Sequence, residues 1–117
     1  MLVQQFGGVP LVLEVSRDIR ADFPRATAAE VYQAIIADLI YAKNNLAAIA
    51  PQLGRASSGA ARDYLDKVYL TRGSAVSAEG KTERGADAKD IDSTITYANA
   101  VIASNVYSLE PNYADLW

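Results

Sequence analysis

Two stretches with helical spacing, the first followed directly by Gly73, most constrain what this chain can fold into. The first is Gly59–Arg72 (GAARDYLDKVYLTR) and the second is Asp90–Ser104 (DIDSTITYANAVIAS). In the first, Ala60, Ala61, Tyr64, Leu65, Val68 and Tyr69 fall on the face to be buried, and Arg62, Asp63, Asp66 and Lys67 on the wet face. Apolar residues recurring at i, i+3 and i+4 mark a helix with one side to cover. Ser57 or Ser58 offers an N-cap, and Asp63 precedes Lys67 in the favourable i,i+4 order. Gly73 stands where a helix turns left-handed at its end. In the second stretch Ile91, Ile95, Ala98, Val101 and Ile102 form the stripe. Asp87 or Asp90 caps its start, where negative charge also suits the helix dipole. Neither stripe can stay wet, and the alanines let backbones approach closely, so the two read as an antiparallel hairpin.

A third helix is announced by Thr27-Ala28-Ala29-Glu30, a capping box in which the Thr side chain and the Glu satisfy free N–H groups reciprocally. It runs to about Ala50 on Val31, Ile35, Leu39, Ala42, Leu46 and Ile49. Tyr32, Ile36 and Ile40 widen the stripe, so this helix is covered on more than one side. Pro51 and Gly54 stop it. Ahead of it, Met1–Phe6 is too short to be a stable helix alone. With Gly7 and Gly8 following, it reads as the last turns of a helix. Val9–Val15 (VPLVLEV) is β-branched and reads as an extended segment of edge-strand character. The charged, Pro24-containing stretch 16–25 reads as a loop, and so does the small, polar stretch Ser74–Ala86. Val106–Leu109 is extended, and Pro111–Trp117 is a turn with an aromatic end.

Composition excludes whole classes of chemistry. The 117 residues suit one domain. Half of them are hydrophobic and 21% are charged, which is the balance of a globular protein. There is no Cys and no His, which removes thiol nucleophiles, disulfides, zinc sites of the usual kind and Ser–His catalysis. Eleven basic residues against fourteen acidic ones give a net charge of −3. The basic residues are dispersed, and nucleic-acid binding is not expected. No apolar run reaches the ~20 residues of a membrane helix. Met1–Phe6 offers neither the basic nor the apolar region of a signal peptide.

The hairpin has tetratricopeptide character. Leu65, Tyr69 and Gly73 match the first helix of that motif, and Thr94 and Ala98 fall at small-residue positions of the second. Asp66 replaces the preferred glycine, and Ser74–Ala86 is an insertion. Four segments in order then carry a more specific likeness: FGGVPLVLE (Phe6–Glu14), AEVYQAIIADL (Ala29–Leu39), GRASSGAARDYLDKVYLTRG (Gly54–Gly73) and ITYANAVIASNVYSLEPNYADLW (Ile95–Trp117). Together they resemble the central part of the SusD/RagB-like proteins of Bacteroidetes. The resemblance implies a surface-exposed outer-membrane lipoprotein. Such a protein binds an oligosaccharide or other nutrient and works with a TonB-dependent outer-membrane transporter. It is not an enzyme and needs no cofactor. Members are several times longer and begin with a lipidated Cys, so residues 1–117 read as a single domain, a piece of a larger helical domain.

Candidate sites are few. Tyr107, Tyr113 and Trp117 could form a flat platform for a sugar ring, or pack as a clasp at the end of the last helix, which is the commoner use of such clusters. Tyr32, Tyr41, Tyr64, Tyr69 and Tyr97 sit at packing positions. Asp87, Asp90 and Asp92 are explained by capping rather than by an acid/base pair or a calcium loop. Asp38 interrupts the apolar part of the long helix and either meets Arg55 or Arg62 or stays exposed. Gly7–Gly8 lacks the third glycine and the lysine of a phosphate cradle. No catalytic or metal-binding residue is assigned. The expected fold is all-α: three main helices in irregular tetratricopeptide-like hairpins, with extended terminal segments. The expected function is non-catalytic glycan binding and uptake, with a tetratricopeptide-type protein-interaction adaptor as the alternative.

Overall fold

Helix α1 (Leu2–Phe6), α2 (Ala28–Asn45), α3 (Ser58–Ser74) and α4 (Ala88–Ile102) follow one another in a computed structural model, with a 3₁₀ turn at Tyr113–Leu116. Residues 2–15, 17, 19, 22–74 and 87–116 are described. There is no strand among them. The fold is all-α, as the apolar spacing predicts. The expected loop at Ser74–Ala86 lies, beyond its first residue, outside the described residues.

Helix α3 is the middle layer, packed on α2 to one side and α4 to the other. Both neighbours run antiparallel to it. The end of α2 meets the start of α3 where the Ser58 N–H donates to the Ala47 carbonyl at 2.9 Å. The end of α3 meets the start of α4 where the Asp87 N–H donates to the Gly73 carbonyl at 3.0 Å.

The capping box forms as expected. The Glu30 N–H donates to Thr27 Oγ1 at 3.2 Å, and the Thr27 N–H donates to Glu30 Oε2 at 2.7 Å. The far end of α2 differs from expectation: it stops at Asn45, not near Ala50. Asn45 Nδ2 donates to the Tyr41 carbonyl at 2.8 Å, and Leu46 is already extended. An Asn side chain competing for a helix carbonyl ends the helix before Pro51 can.

Glycines divide by cause. Gly7 has φ 66°, and its N–H donates to the Val3 carbonyl at 3.1 Å, so it is the left-handed end of α1. Gly73 is not such an end, because α3 continues to Ser74. A Cβ on Gly73 would lie 2.7 Å from Cβ of Asp90, so the glycine is there for the close approach of α4.

The segment after α1 does not form the expected edge strand. Among the described residues its backbone pairing is a single bridge between Pro10 and Arg25, beside the bond from the Ala26 N–H to the Val9 carbonyl at 3.0 Å. Arg25 pins the neck of this loop. Its Nε donates to the Gly8 carbonyl at 2.8 Å and its Nη2 to the Phe6 carbonyl at 2.9 Å.

The apolar core is Val3, Val31, Tyr32, Ile36, Leu65 and Val68, with Ile35, Leu39, Ile40, Tyr69 and Tyr97 half-buried around it. It lies between α1, α2 and α3. Helix α4 sends no buried apolar residue into it, and Asp90 is the buried residue of that helix. Ile95 and Ile102, read as stripe residues, are exposed. The radius of gyration is 17.1 Å, against about 13 Å for a compact domain of a hundred residues.

Candidate functional site

Tyr107 is built into the junction of α3 and α4. Helix α4 ends at Ile102, and Asn105, at φ 53°, reverses the chain so that Val106 and Tyr107 come back over the start of α3. Ser57 caps α3: its Oγ accepts from the Ala60 N–H at 3.2 Å and shares a 2.7 Å hydrogen bond with the Tyr107 hydroxyl. Gly59 makes room for the ring. A Cβ there would stand 2.4 Å from the Tyr107 hydroxyl and 2.5 Å from Cε2. Part of the ring therefore packs as a clasp, yet the residue stays 51% exposed.

On its open side lies a hollow of about 330 Å³ between Val106–Tyr107 and the loop after α2, lined also by Ile49, Gln52, Leu53 and Arg55. Arg55 Nε donates to Gln52 Oε1 at 2.9 Å, which sets a guanidinium and an amide side by side at its rim. A ring edge, exposed aliphatics and two planar polar groups can hold a neutral polar molecule. Tyr113, 72% exposed, sits on the 3₁₀ turn beyond. Trp117 lies outside the described residues.

The acidic candidates separate. Asp87 caps α4, its Oδ1 accepting from the Lys89 N–H at 2.9 Å and the Asp90 N–H at 3.4 Å. Asp92 is exposed on the second turn. Asp90 is not a cap. It is buried and takes a fork from Arg72: Nε to Oδ2 at 2.7 Å and Nη2 to Oδ1 at 2.6 Å.

Arg72 in turn lies over the Tyr69 ring, 5.2 Å from its centroid. Tyr69 stacks on Tyr97 with centroids 5.8 Å apart and planes 13° from parallel, and Lys43 of α2 sits 5.6 Å from the Tyr97 centroid. The bond to Asp90 raises the Arg72 guanidinium above its ordinary value. Burial raises the phenols of Tyr69 and Tyr32. These groups are spent on one another, and the cluster is a brace for three helices. Its sequence signal was faint: an Arg just before Gly73 and an Asp just inside the next helix.

Asp38 is exposed and meets neither Arg55 nor Arg62. It stands at the rim of an apolar groove of about 430 Å³ lined by Leu2, Val31, Ile35, Leu39, Tyr64 and Val68, among others. Among the described residues no three His, Cys, Asp or Glu side chains gather as a metal site. No helix among them is long and apolar enough to cross a membrane.

Known proteins share this fold. The family of SusD-like proteins described as starch-binding and associating with the outer membrane matches residues 1–70. A SusD-like protein of Bacteroides ovatus is 39% identical over 88 residues, 75% of this chain and 15% of the relative. A crystal structure with a xylogluco-oligosaccharide superposes at a TM-score of 0.84 with 33% identity, covering 98% of this chain and 22% of the other. The crystal structure of a SusD-like protein from Bacteroides fragilis superposes at 0.67 with 25% identity, covering 92% and 18%. The chain thus spans less than a quarter of the length of the relatives it matches. With the family's sequence pattern over most of its length and the same helical path as its solved relatives, this chain belongs to the SusD-like family.

Proposed function

We propose that this chain is scaffold from a larger glycan-binding protein. That protein sits at the bacterial surface, anchored to the outer membrane, and passes oligosaccharides to a TonB-dependent transporter. One observation carries the reading: nearly the whole chain follows the path of a protein crystallised with a xylogluco-oligosaccharide, while filling 22% of it. The exposed aliphatic surface agrees, since Leu13, Val15, Ile49, Ile102 and Leu109 are bare here and have a use where more protein surrounds them. The work done is capture and delivery without bond cleavage. Tyr107, Tyr113 and Trp117 are the residues through which the chain touches sugar. The adaptor alternative gains no support, because the likeness follows one family rather than helical repeats at large.

The test is made on the longer protein in which this chain sits. Calorimetry against xyloglucan and starch oligosaccharides is expected to show binding without release of shorter sugars. Solubilised membranes are expected to yield the protein together with a β-barrel transporter. A protein that binds no oligosaccharide, or cleaves one, overturns the proposal.

A further inference from the structure

Three arginines of this molecule differ in what their donors meet. Arg25 closes on two backbone carbonyls, and Arg72 forks onto Asp90. Arg55 does neither. Its backbone N–H donates to the Gln52 carbonyl at 3.2 Å and its Nε to Gln52 Oε1 at 2.9 Å, so one residue holds it twice. Gly54, at φ 83°, supplies the left-handed turn between them. The ion pairs among the described residues are Lys67–Asp63 and Arg72–Asp90, and Arg55 is in neither. With Nε bound to Gln52, the two Nη atoms remain for a ligand, and a guanidinium grips a carboxylate through parallel N–H bonds.

The hollow beside Tyr107 gives that edge its setting. Ile49, Leu53 and Val106 make aliphatic walls, Tyr107 an aromatic one, and Arg55 is the one charged residue among those that line it. Its volume of about 330 Å³ is at the small end of ligand sites and suits a sugar unit rather than a chain. A neutral ring can lie on Tyr107 with a hydroxyl towards Gln52. A ring that also carries a carboxylate gains the charge-assisted bonds to Arg55, and no acidic side chain lines the hollow to repel it.

We infer that this hollow is a subsite for an acidic sugar. The apolar face of a uronic acid ring lies on Tyr107, its carboxylate takes the Nη edge of Arg55, and the Gln52 amide holds the guanidinium while its NH₂ donates to a ring hydroxyl. The inference rests on the reading that Tyr107 touches sugar, and adds to it the class of sugar and the residue that selects it.

The test compares a trigalacturonate with its methyl ester, which has the same ring and no charge. Both are titrated into the full chain and followed by NMR, including the Arg55 Nε–H resonance. The acid is expected to bind about fivefold more tightly than the ester, and its advantage to shrink as salt rises. Arg55→Gln is expected to erase the difference without moving the melting temperature, because Arg55 is exposed. Arg55→Lys, which keeps the charge and loses the fork, is expected to fall between. Equal binding of acid and ester overturns the inference, and so does a preference that survives Arg55→Gln. A triglutamate peptide that binds as tightly as the trigalacturonate overturns it too, since the hollow would then read charge without a sugar. A longer protein that binds neutral oligosaccharides while the chain shows no preference for the acid leaves the proposed function standing and removes this inference alone.

Discussion

Helix α3 is held by its two neighbours through different physics. Towards α2 the seam is aliphatic: Leu65 and Val68 close on Val31, Ile36 and the ring of Tyr32. Towards α4 it is polar and aromatic. Arg72 forks onto Asp90, the Thr94 hydroxyl lies between the Asp66 and Asp90 carbonyls, Tyr69 stacks on Tyr97, and the Tyr107 hydroxyl meets Ser57. An aliphatic seam is set by volume and tolerates small slides. A seam of directed bonds fixes register, and here it fixes α4 while leaving Ile95 and Ile102 of that helix in water. The rest of the α4 stripe, Ile91, Ala98 and Val101, is half-buried, so the helix turns only part of its apolar side outward.

Substitutions can break this contrast. The largest effect belongs to the aliphatic seam. Leu65→Ala, at a fully buried site, is expected to cost about 3 kcal/mol in urea unfolding. The polar seam comes next. Asp90→Ala strands a half-buried guanidinium and is expected to cost about 2 kcal/mol, with the loss of amide protection concentrated in α4. Equal loss of protection in α2 would show that the seams are not separate.

At the edge of the aliphatic seam, Thr27→Ala removes the cap of α2 and is expected to cost about 1 kcal/mol. Its partner gives the pH dependence. The Glu30 carboxylate lies below its ordinary value because it accepts the Thr27 N–H and hydroxyl. Its contribution is therefore present above the ordinary glutamate value of about 4.3 and fades as pH falls through the folded value. Melts at pH 5 and pH 3 should differ less in Glu30→Gln than in the parent. The smallest effect sharpens the contrast from outside both seams. Ile102→Ser is expected to change stability by less than about 0.5 kcal/mol in this chain, and by more in the longer protein if α4 is covered there.

Most of the fold was legible because most of it is local. The capping box at Thr27, the stripes of α2 and α3, and the left-handed Gly7 are all declared within a few residues. What was misread depends on partners far along the chain. Asp90 looks like a cap until Arg72 is beside it, Gly73 looks like a helix end until Asp90 presses on it, and Arg25 looks like an ordinary loop charge. The candidate site was half legible. Tyr107 announced an aromatic surface, but Gly59 and Ser57, which hold its ring, are residues any helix start might carry. The early stop of α2 was hidden by Pro51, a louder signal downstream of the Asn45 side chain that ends it.

The Arg25 pin has an evolutionary consequence. One side chain gathers the carbonyls of Phe6 and Gly8 at the mouth of the loop, which ties its two ends together where the helices on either side begin. Doubling such a loop costs only about 0.6 kcal/mol of closure entropy. The stretch between Pro10 and Pro24 can therefore lengthen, shorten or change its side chains from one descendant to the next, a place for new contacts to be tried while the frame stands still.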